Sequence, residues 1–123
     1  GANASIRDNA GYTPLDIAVS MDHLDVFKAL LIRGSLVNSF DKDNNTLLHA
    51  ASWNGATEIV GVLLDKGANA SIRNNGGYIP LHVAVFKGHV DVVKMLLSRG
   101  SPVDSRDAEN NTALHIAAWQ GTT

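Results

Sequence analysis

The chain contains no cysteine, only three prolines, and two tryptophans, two tyrosines and three phenylalanines among its 123 residues. Lack of cysteine removes both a disulfide framework and a thiol nucleophile. It fits a reducing compartment, and an intracellular, cytoplasmic location is the expectation. Charge of one sign is also missing: ten basic against twelve acidic residues leave a formal net charge of −2. Such a weak field does not draw in DNA, RNA or an anionic membrane, so nucleic acid is not an expected partner. Apolar runs span only a few residues, far short of the roughly 20 that cross a bilayer, and residues 1–30 lack the charged and apolar blocks of a secretion signal. No membrane partner is expected. Eleven glycines against the three prolines read as regular punctuation rather than disorder, and the length suits one domain.

What is present is periodic. Ile79-Pro80-Leu81-His82-Val83-Ala84 returns 33 positions earlier as Thr46-Leu47-Leu48-His49-Ala50-Ala51. It returns again as Thr13-Pro14-Leu15-Asp16-Ile17-Ala18 and, downstream, as Thr112-Ala113-Leu114-His115-Ile116-Ala117. A fixed period of this length marks a stacked array in which each unit buries its apolar side against the next. A second echo lies at 66 residues: residues 1–57 laid on 67–123 agree at 35 positions. The unit has therefore been duplicated as a pair.

Local chemistry places the elements within a unit. Gly11 and Gly77 suit a turn with positive φ, and Asn44 and Asn110 approximate it. Thr13, Thr46 and Thr112 are helix N-caps, and Pro14 and Pro80 fall at the first helical position, where a missing N–H costs nothing. A short helix follows and breaks at Asp22, Gly55, Gly88 and Gly121. The next helix carries an apolar stripe of Val90, Val93, Leu96 and Leu97 and ends at Gly100, as its equivalents end at Gly34 and Gly67.

This succession of turn, Thr-Pro-Leu-His, short helix, Gly-His, Val-Val-x-x-Leu-Leu helix and Gly-Ala resembles the ankyrin repeat over essentially the whole chain. The resemblance implies an all-α solenoid with β-hairpin loops, each L-shaped unit stacking a hairpin and an antiparallel helix pair on the next. It also implies a non-catalytic interaction domain that needs no cofactor. Departures are local: Asp16 replaces the usual His, Ile79 the capping Thr, Leu47 and Ala113 the Pro. Gly61 inside a second helix costs about 1 kcal/mol relative to alanine. Three full repeats are expected at 8–40, 41–73 and 74–106, with partial ones at 1–7 and 107–123. Neither end carries a polar cap, and Leu114, Ile116, Ala117 and Ala118 would lack their own partner helix. The expectation is a fragment that continues into further repeats or associates end to end.

Candidate chemistry is thin. His49, His82 and His115 recur at one position of successive units and, in the family pattern, hydrogen-bond within the motif and toward the next repeat. Zinc ligands must converge within about 2 Å of the metal, whereas stacked units stand about 10 Å apart, so these histidines cannot share one ion. Asp41, Asp43 and Asn45 hint at a calcium loop, but the required glycine is missing and Ser52 stands where a bidentate glutamate belongs. No catalytic residue, metal ligand or cofactor site is assigned.

The resemblance implies that partners meet the hairpin tips and the exposed side of each first helix, on the concave face. At the end of those helices stand Trp53, Phe86 and Trp119, followed in register by Lys87 and, in the first unit, by Met21. In-phase stacking predicts a row of rings, with Tyr12 and Tyr78 on the hairpins beside it. Aromatic anchors dominate interface energies. For Trp53 and Phe86 the competing expectation is that they fill space between repeats. Arg7, Arg73 and Arg106 form a second ladder, of which Arg73 and Arg106 are further candidates for an acidic partner. The expected function is recognition of a protein or peptide. The alternative is a spacer in a longer array that self-associates end to end.

Overall fold

The computed structural model describes the backbone of residues 14–32 and 43–121 and the side chains of 17–29 and 43–118. Helices stand where the repeated motif and the stripe after it predict them: α1 Pro14–Ser20, α2 Leu24–Ile32, α3 Leu47–Asn54, α4 Thr57–Asp65, α5 Pro80–Lys87, α6 Val90–Ser98 and α7 Ala113–Gly121. The first helix of each unit packs on its counterparts, giving an inner row α1, α3, α5, α7. The second helices α2, α4 and α6 form an outer row, and each packs on the first helix of its own unit. Arg7, Gly11, Tyr12 and Gly34 lie outside the described residues.

Three of the inner helices, α3, α5 and α7, start where a histidine in the first turn reaches back. The Thr46 hydroxyl accepts from the His49 N–H at 3.3 Å, while the Thr46 N–H donates to His49 Nδ1 at 3.0 Å. Two orphan donors are thus satisfied reciprocally, with histidine in the place more often held by Glu or Gln. Thr112 and His115 repeat the arrangement. Ile79 has no oxygen, so at α5 only the bond from its N–H to His82 Nδ1 survives, at 3.0 Å. Pro80 at the first position and burial of the Ile79 side chain offset the missing half.

The same histidines join neighbouring units. Because Nδ1 accepts a backbone N–H, the ring proton sits on Nε2. That N–H then donates to the Tyr78 carbonyl from His49, at 2.7 Å, and to the Ser105 carbonyl from His82, at 2.8 Å. Both rings are buried. They tie the bases of α3 and α5 to the hairpins that follow.

The hairpin loops are tight turns with no extended strand among the described residues, closed by backbone bonds from Asn74 to Tyr78 and from Asp107 to Asn111. Asn74 and Asp107 supply side-chain oxygens that take up the N–H groups a ladder would use: Gly76 and Tyr78 donate to Asn74, Glu109 and Asn111 to Asp107. Single backbone bonds link one turn to the next, from Asn75 N–H to the Asp43 carbonyl and from Ala108 N–H to the Gly76 carbonyl. Asn44, Gly77 and Asn110 hold the positive φ predicted for them. At Gly77 a Cβ would also stand 2.5 Å from the Ala108 nitrogen, so the close approach of turns excludes a side chain there.

The core runs between the rows. Leu47, Leu48, Leu63, Leu81 and Leu96 are fully buried, each worth about 1.5–3 kcal/mol relative to exposure. On α6 the buried face is Val92 and Leu96, with Val93 partly covered, whereas Val90 and Leu97 are exposed. The predicted stripe was therefore set slightly off the true face, because α6 must meet both α4 and α5. Gly61 lies under the Met95 thioether, 3.2 Å from where a Cβ would stand, so the helix-breaking residue makes room for the neighbouring outer helix. Ser52 is a weak point: its hydroxyl is buried without a partner where the adjacent units carry Val19 and Val85. Asp65 and Arg99 form an exposed ion pair between the outer helices, of small energetic weight.

Burial pushes the His82 imidazole below its ordinary range; the Ser105 carbonyl and Asp107 oppose this, and Arg73 adds to it. The unfolded chain therefore binds a proton that the folded chain resists, and stability rises with pH across that window. This contribution is complete above the unfolded histidine value of about 6.5 and is lost as pH falls through the lower folded value. Urea midpoints are expected to fall between about pH 7.5 and about pH 5.5, and His82→Asn, which keeps the cap acceptor but neither titrates there nor bridges, should flatten part of that slope. At the upper pH His82→Asn should unfold about 2 kcal/mol more easily, the cost of a buried carbonyl left unpaired. An unchanged slope would remove His82 from the account.

Candidate protein-binding groove

Inner helices bury one side against their neighbours and leave the other open, and the hairpins overhang that open side. Between them lies a groove of about 960 Å³. Four of the residues singled out from the sequence line it together: Trp53 from α3, Phe86 and Lys87 from α5, and Tyr78 from the intervening turn. Ala50 and Val83 form part of its floor, and Asn45, Asn54 and Asn74 part of its polar edge.

Trp53 is 56% exposed and Phe86 52% exposed, so neither ring is filler between repeats. Both are nonetheless held. The Lys87 ammonium stands over the Trp53 ring, 4.5 Å from its centroid, a cation–π contact made across adjacent units. Phe86 meets Tyr78 edge to face with centroids 6.1 Å apart, and Tyr78 meets His82 in the same way. These pairings fix the rings without covering them.

The polar frame is equally engaged. The Asn74 amide donates to the Asn45 side-chain oxygen at 2.8 Å, and the Asn54 amide to the Ala50 carbonyl at 3.0 Å. Burial raises the Tyr78 phenol above its usual value, and Asp107 and Glu109 nearby add to that. Burial would also raise the Asp107 carboxyl, but bonds from the Asn111 and Glu109 N–H groups outweigh it and hold the group below the usual carboxylate range. The turn end thus carries Asp107 and Glu109 together with Arg73 and Arg106, and Lys87 stands at the far end of α5.

Other candidates fall elsewhere. Met21 is exposed but does not line the groove. Tyr12 and the side chain of Trp119 lie outside the described residues, although the backbone of Trp119 belongs to α7. Arg73 and Arg106 are exposed, and each closes its own turn, donating to the Gly77 carbonyl at 3.1 Å and to the Asn110 carbonyl at 3.0 Å. Sequence reasoning missed His89. Its Nε2 meets the Trp53 carbonyl at 3.0 Å, and its ring packs so closely on Gly55 that a Cβ there would lie 2.7 Å from Nδ1. The only signal was the Gly88-His89 pair after the helix break.

Comparison with known families agrees with this geometry. A model described as ankyrin repeats in three copies matches residues 48–123, and one described as ankyrin repeats in many copies matches residues 21–64. The chain belongs to the ankyrin repeat family. This ankyrin repeat chain is similar to the putative ankyrin repeat protein FPV034 of fowlpox virus, 34% identical over 62% of this chain and 18% of that protein. It is also similar to the ankyrin repeat-containing protein P1E11.10 of Schizosaccharomyces pombe, 36% identical over 64% of this chain and 37% of that protein. A third relative is alpha-latroinsectotoxin-Lt1a of Latrodectus tredecimguttatus, 37% identical over 50% of this chain and 4% of the toxin. The chain thus spans well under half the length of each of these relatives. Ankyrin repeats are in general non-enzymatic protein–protein interaction modules, which implies protein partners for this chain. No described helix is long and apolar enough to cross a membrane.

Proposed function

We propose that this ankyrin repeat chain binds a protein or an extended peptide in the concave groove lined by Trp53, Tyr78, Phe86 and Lys87. The observation that carries this reading is the exposure of two large rings that are already immobilised by their neighbours. A binder loses little side-chain entropy when such rings become buried, so their apolar area contributes more fully to affinity. On this reading the units run over 8–40, 41–73 and 74–106; the second and third each line the groove with a turn and an inner helix, and the first adds Ser20. Met21, Arg73 and Arg106 are further candidate contacts, as are Tyr12 and Trp119 by their repeat register.

Peptides selected on the chain from a phage-displayed random library provide the test. Trp53→Ala with Phe86→Ala should weaken their binding by about 30-fold or more, as for one or two true hot spots. The thermal transition should stay nearly unchanged, because both rings are exposed. Selected peptides that bind the double variant equally well would overturn the groove as the binding site.

A second reading, end-to-end self-association, draws on α7. There Ala113 and Ile116 are buried, whereas Leu114 is 69% exposed. In sedimentation velocity, association of the wild-type chain that Leu114→Lys abolishes would support this reading; a monomer at all concentrations would remove it.

A further inference from the structure

The groove has a charge as well as a shape. Among the described residues lining it, Lys87 is the only lysine or arginine, and no aspartate or glutamate is present. Lys87 is exposed and lies against the Trp53 ring, at the end of α5. Asp107 and Glu109 act on the opposite, Tyr78 end. A cation beside an apolar ring surface is a composite recognition element: the ring takes an apolar side chain, and the ammonium takes a neighbouring carboxylate in a setting that the ring partly dries. Arg73 and Arg106 balance Asp107 and Glu109 at the turns, so Lys87 is the uncompensated charge on the groove wall.

Resting on the groove reading above, we infer that the occupant is an extended peptide segment in which an apolar or aromatic residue stands beside an acidic one. The apolar residue sits between the Trp53 and Phe86 rings, with the carboxylate toward Lys87. Lys87 is then the residue that sets specificity, while the rings supply affinity. A basic segment meets repulsion from Lys87, whose ammonium already occupies the face of the Trp53 ring. Replacing Lys87 by a carboxylate leaves the rings in place and reverses the preference.

Three fluorescein-labelled probes test this by anisotropy: Gly-Ser-Glu-Leu-Phe-Glu-Ser and its counterparts with Gln or Lys in place of both Glu. The wild-type chain should bind the Glu probe about tenfold more tightly than the Lys probe, with Gln between, a preference that weakens as salt is added. Lys87→Glu should invert the order with the thermal transition retained, and Trp53→Ala with Phe86→Ala should lose all three probes. Equal binding of the three by the wild type, or an order that Lys87→Glu leaves intact, overturns the inference while the groove reading stands. Failure to bind any of the three overturns it too. So does probe release as protein concentration rises, which indicates a second copy of the chain in the groove. The groove reading itself falls only on the separate result that library-selected peptides bind the double variant as tightly as the wild type.

Discussion

The bond from a buried imidazole to the carbonyl of the next turn is the interaction on which the architecture rests. His49 reaches Tyr78 and His82 reaches Ser105, in each case while the other ring nitrogen caps the helix that carries it. One side chain therefore fixes where a helix starts and where the following turn lies. The hydrophobic contacts between rows supply most of the free energy, but they are not directional. The imidazole bridges set register, and only one tautomer serves both bonds.

That register has a consequence at the surface. Holding the Tyr78 carbonyl places the Tyr78 ring against both His82 and Phe86, so the turn and the inner helix share one aromatic contact. His89 does the same for the far end of α3 by holding the Trp53 carbonyl. Trp53 and Phe86 end up rigid yet open, and Lys87 spans the gap between two units to lie on Trp53. The capping scheme recurs at α3, α5 and α7, whereas the side chain at the end of the inner helix differs from one unit to the next. Exposed at the helix ends, Trp53 and Phe86 can vary without disturbing the stack.

The fold was almost wholly legible because the repeat makes every local signal appear several times. Thr or Pro at the helix start, the turn glycine or asparagine and the stop glycine agree in phase, and helix positions followed from them. The site was legible only in part. Trp53 and Phe86 stood out, but whether such rings are buried depends on the distance between stacked helices, which no single segment encodes. The pairing of Lys87 with Trp53 and of His89 with the Trp53 carbonyl joins residues more than thirty positions apart. The buried face of α6 was displaced for a related reason, since Val92 answers to α4 as well as to α5. That Arg73 and Arg106 also close their own turns was not legible, because those bonds depend on loop geometry that the sequence does not display.

The tautomer of the bridging histidines tests the central claim most directly. Long-range proton–nitrogen correlation spectra of the 15N-labelled chain at neutral pH distinguish protonation at Nδ1 from protonation at Nε2. His49 and His82 should both be neutral, protonated on Nε2 and protected from solvent exchange. A proton on Nδ1, or two rapidly exchanging tautomers, would contradict the account, because neither ring could then cap its own helix and hold the next turn together.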